Sequence, residues 1–237
     1  MYSNVIDGNF TTNYTYTLFR AGKFVRVPSI FGDDTNEGTI FTPSAINNYT
    51  DMNQFLKNNF PRLTTGELAE LDALYYQNTT TVHPGRGAFW RTAANAYGEM
   101  RYNCPGIFVS TALRNASVPS WNYHWDVLSP ANAASGLGVT HTAESGSIWG
   151  TSGSPDSRLI PTIQAYWTSW IRTKDPNTYR LAGAPSWEQF GGDLLARLRF
   201  GNSTAGTGNT IVRMEGVPGD QKMRCQYLSS IGAKTSQ

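Results

Sequence analysis

Apolar and polar residues change their period several times along the chain, and each change marks an element. Residues 5–32 begin with a short extended segment and a Thr/Tyr-rich loop, followed by an apolar run that predicts a strand over Phe24–Phe31. Residues 33–53 carry the turn residues Pro43, Ser44 and Asn47 and are read as loop. Thr64-Thr65-Gly66-Glu67 has a helix-start pattern, because Thr64 can cap and Glu67 can complete a capping box. That helix runs to about Gln77, with Leu68, Leu71 and Leu74/Tyr75 on one face. Phe89–Met100 is a second helix, and Pro105 opens a third over Gly106–Arg114. Trp121–Val127 alternates as a strand does, with Trp121, Tyr123 and Trp125 on one side. Residues 129–157 are rich in Gly, Ser, Ala and Pro and form a loop of a length usually functional or disordered, and His141 within it favours function. In Leu159–Thr173 the residues Ile160, Ile163, Tyr166/Trp167, Trp170 and Ile171 recur at helical spacing, and Asp175-Pro176-Asn177 stops the run. Leu195–Phe200 and Thr210–Glu215 predict a hairpin around 201–209, and Gln221–Ile231 a terminal helix. This order of strands and helices is that of an α/β layer architecture, with only one or two central strands identified.

Composition narrows the class. Charged residues make up 15%, replaced by Gly, Asn, Ser and Thr, a mix common in secreted proteins. The net charge is +2 with no Lys/Arg block, which argues against a nucleic acid or an anionic membrane as partner. No apolar run approaches the roughly 18 residues of a membrane span. Cys104 and Cys225 lie too far apart for a metal or redox motif, and their even number permits one disulfide. Asn-x-Ser/Thr sequons at Asn9, Asn13, Asn48, Asn78, Asn115 and Asn202 give six candidate glycosylation sites. Together these favour an oxidising, secretory compartment. Met1-Tyr2-Ser3-Asn4 carries no basic-then-apolar leader, so the front part of such a protein is expected elsewhere.

The candidate chemistry lies in two segments. Glu37, in Asn36-Glu37-Gly38, and His141, in Gly138-Val139-Thr140-His141, each fall just past an apolar run, where an open α/β sheet presents its chemistry. They have the chain order of the acid and histidine in a Ser–His–acid triad. Asp33 and Asp34 compete with Glu37 for the role of acid, and His141 competes with two other histidines. His83 sits in a Pro84 turn and His124 within the aromatic strand. No Gly-x-Ser-x-Gly occurs in the 237 residues.

Four motifs in order resemble the C-terminal half of the type-B carboxylesterases, which include many lipases and the cholinesterases. Val5-Ile6-Asp7-Gly8 is similar to that family's Pro-Val-Ile-Asp-Gly segment. Val27–Gly32 followed by Asn36-Glu37-Gly38-Thr39 resembles the segment with the triad acid, with Asn36 in place of an Asp. Gly138–Glu144 resembles the Gly-x-x-His-x-x-Glu segment with the triad histidine. Gln164–Trp170 with Lys174-Asp175-Pro176-Asn177 resembles the Tyr-Trp-Thr helix and its stop.

The resemblance implies that residues 1–237 are the C-terminal part of one type-B carboxylesterase domain, half of an α/β-hydrolase sheet with flanking helices. It implies Glu37 as triad acid and His141 as base, Glu144 as part of a buried polar network behind them, and Ile40 and Phe41 as residues lining the substrate gorge. It implies a Cys104–Cys225 disulfide. It implies a small-molecule or lipid ester as substrate, no metal and no cofactor. The serine and the oxyanion loop belong to the family's N-terminal half, so the chain is expected to be inactive alone, poorly folded alone and partnered by that half. Two other readings stand beside this one. One is a non-catalytic adhesion or binding domain of the cholinesterase type. The other is a secreted carbohydrate-binding module built on Trp90, Trp121, Trp125, Trp167, Trp170 and Trp187, for which core packing is the competing explanation.

Overall fold

The computed structural model of the chain describes residues 5–76, 83–150, 157–203 and 210–237. Its centre is a four-stranded sheet of β1 (Ser29–Asp34), β2 (Ser120–Asp126), β3 (Ala196–Asn202) and β4 (Thr210–Gly216), in that spatial order. The first three strands run parallel and β4 returns antiparallel to β3. Parallel neighbours need long crossovers, and the helices supply them. Nine helices accompany the sheet among the described residues: α1 (Thr15–Arg20), α2 (Tyr49–Asn59), α3 (Thr65–Leu74), α4 (Trp90–Gly98), α5 (Cys104–Asn115), α6 (Pro130–Ala134), α7 (Ser145–Trp149), α8 (Ile160–Thr173) and α9 (Gly219–Ser230). None is long and apolar enough to cross a membrane.

The alternation in β2 divides the layers. Trp121, Tyr123 and Trp125 pack with Leu198 and Phe200 of β3 against Ile163, Tyr166 and Trp167 of α8. On the opposite face, Ser110 of α5 donates to Asn122 at 2.7 Å, and His124 bonds Glu215 of β4 at 2.7 Å. A second core lies among α2, α3, α4, α5 and α9, around Met52, Leu56, Leu71, Trp90, Tyr97 and Met100. The Cys104–Cys225 disulfide joins α5 to α9, with Cα atoms 5.0 Å apart.

Several elements differ from the sequence expectation. β1 begins at Ser29 rather than Phe24, because Val25 and Val27 are exposed and their alternation faces no core. The Thr/Tyr-rich stretch holds α1, which buries only Tyr16. The stretch read as loop up to residue 53 already contains the start of α2, capped where the Asn48 side chain accepts the Asp51 N–H. The Thr64 capping box is present and α3 ends at Leu74, three residues short of Gln77, which lies outside the described residues. The second and third helices are one continuous run, joined by a π-helical turn over Glu99–Asn103. The long loop contains the short α6 and α7. Trp90, Trp125 and Trp187 are fully buried, Trp121 and Trp167 nearly so, and Trp170 packs against the same core. That removes the aromatic surface on which the carbohydrate-binding reading rested.

Candidate active site

β1 ends at Asp34, and the chain turns at once through Thr35–Thr42. Glu37 sits in that turn and is buried. Its position is held from two sides. The Asp34 backbone N–H donates to Glu37 Oε1 at 2.9 Å, and Glu37 Oε2 lies 2.5 Å from His141 Nδ1. Gly38 lets α4 approach the turn, since a Cβ there would stand 1.9 Å from the carbonyl oxygen of Ala94. The Thr42 hydroxyl donates to the Gly38 carbonyl at 2.9 Å, and the Trp90 indole donates to the Thr42 carbonyl at 3.2 Å. The turn is thus fixed against a buried helix rather than left to solvent.

His141 arrives from the segment between α6 and α7. Asn36 aligns it: the Asn36 N–H donates to the Val139 carbonyl at 2.8 Å, and the Val139 N–H donates to Asn36 Oδ1 at 2.9 Å. Gly138, at φ +78°, makes the close passage, since a Cβ there would meet Asn36 Oδ1. Thr142 follows in the left-handed region at φ +65°. The imidazole is flanked by Tyr102, ring centroids 4.4 Å apart, and by Phe41, edge-on at 5.3 Å. The His141 side chain is 30% exposed, and Glu37 5%.

Of the competing acids, Asp33 faces Arg197 at 3.5 Å and Asp34 is buried behind Glu37. Of the competing histidines, His124 is engaged by Glu215 and Thr35, and His83 meets Trp90 edge-on. Glu144 accepts from the Tyr123 hydroxyl at 2.9 Å. Ile40 is half exposed. Glu37, Tyr102, His141, Thr142 and Glu144 border a cleft of about 350 Å³ whose floor includes Phe31, Gly32 and Asp34. A larger cavity of about 430 Å³ touches Glu37 without reaching His141; we assign the site to the smaller one because both members of the pair line it.

Burial raises the Glu37 carboxyl above its usual range, while the Asp34 N–H and the His141 ring pull it back. Burial likewise raises the Tyr102 phenol, so that it faces the imidazole as a neutral ring. Among the described residues one trio has ligand atoms near enough to share a metal, Glu99, Cys104 and Cys225, and its two cysteines are bonded to each other. Sequence reasoning named Glu37, His141, Glu144 and Phe41. It missed Tyr102, and it missed the role of Asn36 as a clamp. Tyr102 had no local signal; Asn36 was visible only as a departure from a motif.

A mostly parallel sheet with an acid–histidine couple at the carboxyl ends of its strands has the architecture of the α/β hydrolases. EstA of Aspergillus niger superposes with a TM-score of 0.89 at 30% identity, covering 99% of this chain and 46% of that one. The carboxylesterase family profile matches residues 1–215, and the chain belongs to that family. Secreted lipase 4 of Gibberella zeae is 27% identical over 177 residues, 73% of this chain and 32% of that protein. Secreted lipase 1 of Botryotinia fuckeliana is 27% identical over 210 residues, 80% of this chain and 34% of that protein. Lipase 2 of Diutina rugosa is 38% identical over 80 residues, 33% of this chain and 15% of that protein. The chain therefore spans about a third or less of the length of these relatives.

Proposed function

We infer that the chain supplies the acid and the base of a serine-type carboxylic-ester hydrolase, with Glu37 as the acid and His141 as the base. The observation that carries this is the 2.5 Å contact between Glu37 Oε2 and His141 Nδ1, made across 104 residues of sequence. A carboxylate on Nδ1 fixes the tautomer that leaves Nε2 free to take a proton, and it stabilises the imidazolium that follows. The nucleophile in this scheme is a serine outside the 237 residues, since Gly-x-Ser-x-Gly does not occur within them. His141 Nε2 takes the serine proton as the hydroxyl attacks the ester carbonyl, then returns it to the departing alcohol. Water repeats the cycle on the acyl-enzyme. Phe41 and Tyr102 wall the imidazole, and Tyr102 with Val109 and Phe31 gives the cleft an apolar surface for the acyl or alcohol group; Ile40 and Phe41 are not among the residues lining that cleft. The oxyanion donors, the serine and the rest of the sheet belong to the same N-terminal portion of the domain. The secreted relatives, the disulfide and the sequons support an extracellular, glycosylated product.

The test is turnover of short-chain nitrophenyl esters by the longest native form of the protein, with His141→Ala and Glu37→Gln. His141→Ala is expected to lower kcat at least ~10³-fold, and Glu37→Gln also strongly. The 237 residues alone are expected to show no His141-dependent turnover. Activity of the longest form that survives His141→Ala would refute the assignment.

A further inference from the structure

Behind the Glu37–His141 couple lies a second pair of acids. Asp34, at the last position of β1, is 1% exposed. Its carboxyl and the Glu144 carboxyl line one cleft and interact directly, with Thr142 alongside. Yet Asp34 Oδ1 and Glu144 Oε2 are buried oxygens with no donor to satisfy them. Two carboxylates facing each other out of water present acceptors only, and a single proton between them resolves the arrangement. The other Glu144 oxygen already takes the Tyr123 hydroxyl, so Asp34 is the partner left to donate.

We propose that Asp34 is a positioning residue that stays protonated at neutral pH and donates to Glu144, locking the turn that carries His141. Deepening the catalytic reading above, this makes Asp34 the link between the two halves of the couple. Its backbone N–H holds Glu37 Oε1, and its side chain faces Glu144 in a cleft that Thr142 and His141 also line. The groups around it agree. Glu37 in the same turn and Glu144 before α7 are like charges that oppose its ionisation, Tyr123 on β2 is a neutral phenol, and Thr142 offers one N–H. Arg101 and His141 are the basic residues lining the shared cleft. Burial and the two carboxylates push the Asp34 carboxyl far above the usual range, as for a carboxylic acid kept neutral in order to donate. Ionisation would put a third negative charge beside Glu37 and Glu144 and push the 138–144 segment off β1.

Infrared difference spectroscopy of the longest native form, wild type against Asp34→Asn, reads the proton directly. The expected result is one protonated-carboxyl band at pH 7 that is present in the wild type, absent in Asp34→Asn, and lost from the wild type in one alkaline transition. Asp34→Asn retains a donor and is expected to keep the His141 environment at pH 7 while abolishing the alkaline loss of kcat. Glu144→Gln removes the like charge and is expected to move the transition at least ~10-fold in proton concentration toward neutral. Absence of the band, or a transition that Glu144→Gln leaves in place, would overturn the proposal. The infrared result stands without turnover, so a failure of the hydrolase reading and a failure of the shared proton give different data.

Discussion

Replacing Gly38 by Ala tests how the fold holds its site. Gly38 has an ordinary negative φ, so alanine is not excluded by backbone strain and the effect is steric. The new Cβ would stand 1.9 Å from Ala94 O, 2.8 Å from Ala94 C and 2.9 Å from Gly98 N. All three are backbone atoms of α4, which is buried and offers no rotamer to swing away. The turn must therefore withdraw from α4 by about 1 Å. Overpacking of this kind typically costs roughly 1–3 kcal/mol, and rigid backbone on both sides places the cost at the upper end. Glu37 rides on the same turn, and under the role proposed for it a displacement of ~1 Å lowers turnover on the order of 10²-fold.

Gly66 is the internal control. It lies in the first turn of α3 with nothing within 4 Å of its Cβ position, so Gly66→Ala gains helix propensity and stabilises by about 0.5–1 kcal/mol. Urea denaturation of the longest native form, with ester turnover beside it, measures both variants. Opposite signs are expected. Gly38→Ala within ~0.5 kcal/mol of wild type would show that the Gly38–Ala94 approach is not a constraint, and the packed-turn account of Glu37 would fall with it.

Removing the Cys104–Cys225 bridge as the double serine variant opens a loop of 121 residues and is expected to cost up to about 5 kcal/mol in the chain-entropy model, read as a lowered urea midpoint; an unchanged midpoint would place α9 docking elsewhere. Burial opposes ionisation of Glu215, but His124 and Arg197 hold its carboxyl down to about 2, so its contribution is complete above the unfolded value near 4.5 and is lost as pH falls toward 2. Glu215→Gln should destabilise most near neutral pH and flatten the acid limb of a melting-temperature profile; a constant offset from pH 2 to 7 would contradict this. Of the sequons, Asn9, Asn13, Asn48 and Asn115 are exposed and Asn78 lies outside the described residues, whereas the Asn202 amide donates to the Leu128 carbonyl and accepts its N–H, both at 3.0 Å. Peptide mapping after secretion from a eukaryotic host should find sugar at exposed sites and Asn202 unmodified; full occupancy at Asn202 would refute that reading.

What the sequence disclosed follows from the range over which each feature is encoded. The α3 capping box and the α8 face are written within one or two turns of helix, and both are present. The β2 alternation is local too, and its two faces sort the aromatic and polar layers. α2 also carried a local signal, Asn48 before Met52, Phe55 and Leu56 at i, i+3 and i+4, hidden by the surrounding asparagines. The β1 boundary misled because Val25 and Val27 alternate like strand residues but stay outside the sheet. Period reports what a segment can bury, and only the partner layer decides whether it is buried.

The site divides along the same line. Glu37 could be singled out because motif and strand end coincide there, and His141 because of its motif, on a segment that follows β2 and α6. Tyr102, the Asn36–Val139 clamp and the Asp34–Glu144 pair join residues 39, 103 and 110 positions apart, and no window along the chain contains both members. These contacts set the direction of the imidazole and the charge behind it. A sequence of this kind therefore announces which chemistry is available, and the long-range packing of β1, the π-helical turn and the 138–144 segment decides whether its geometry permits that chemistry.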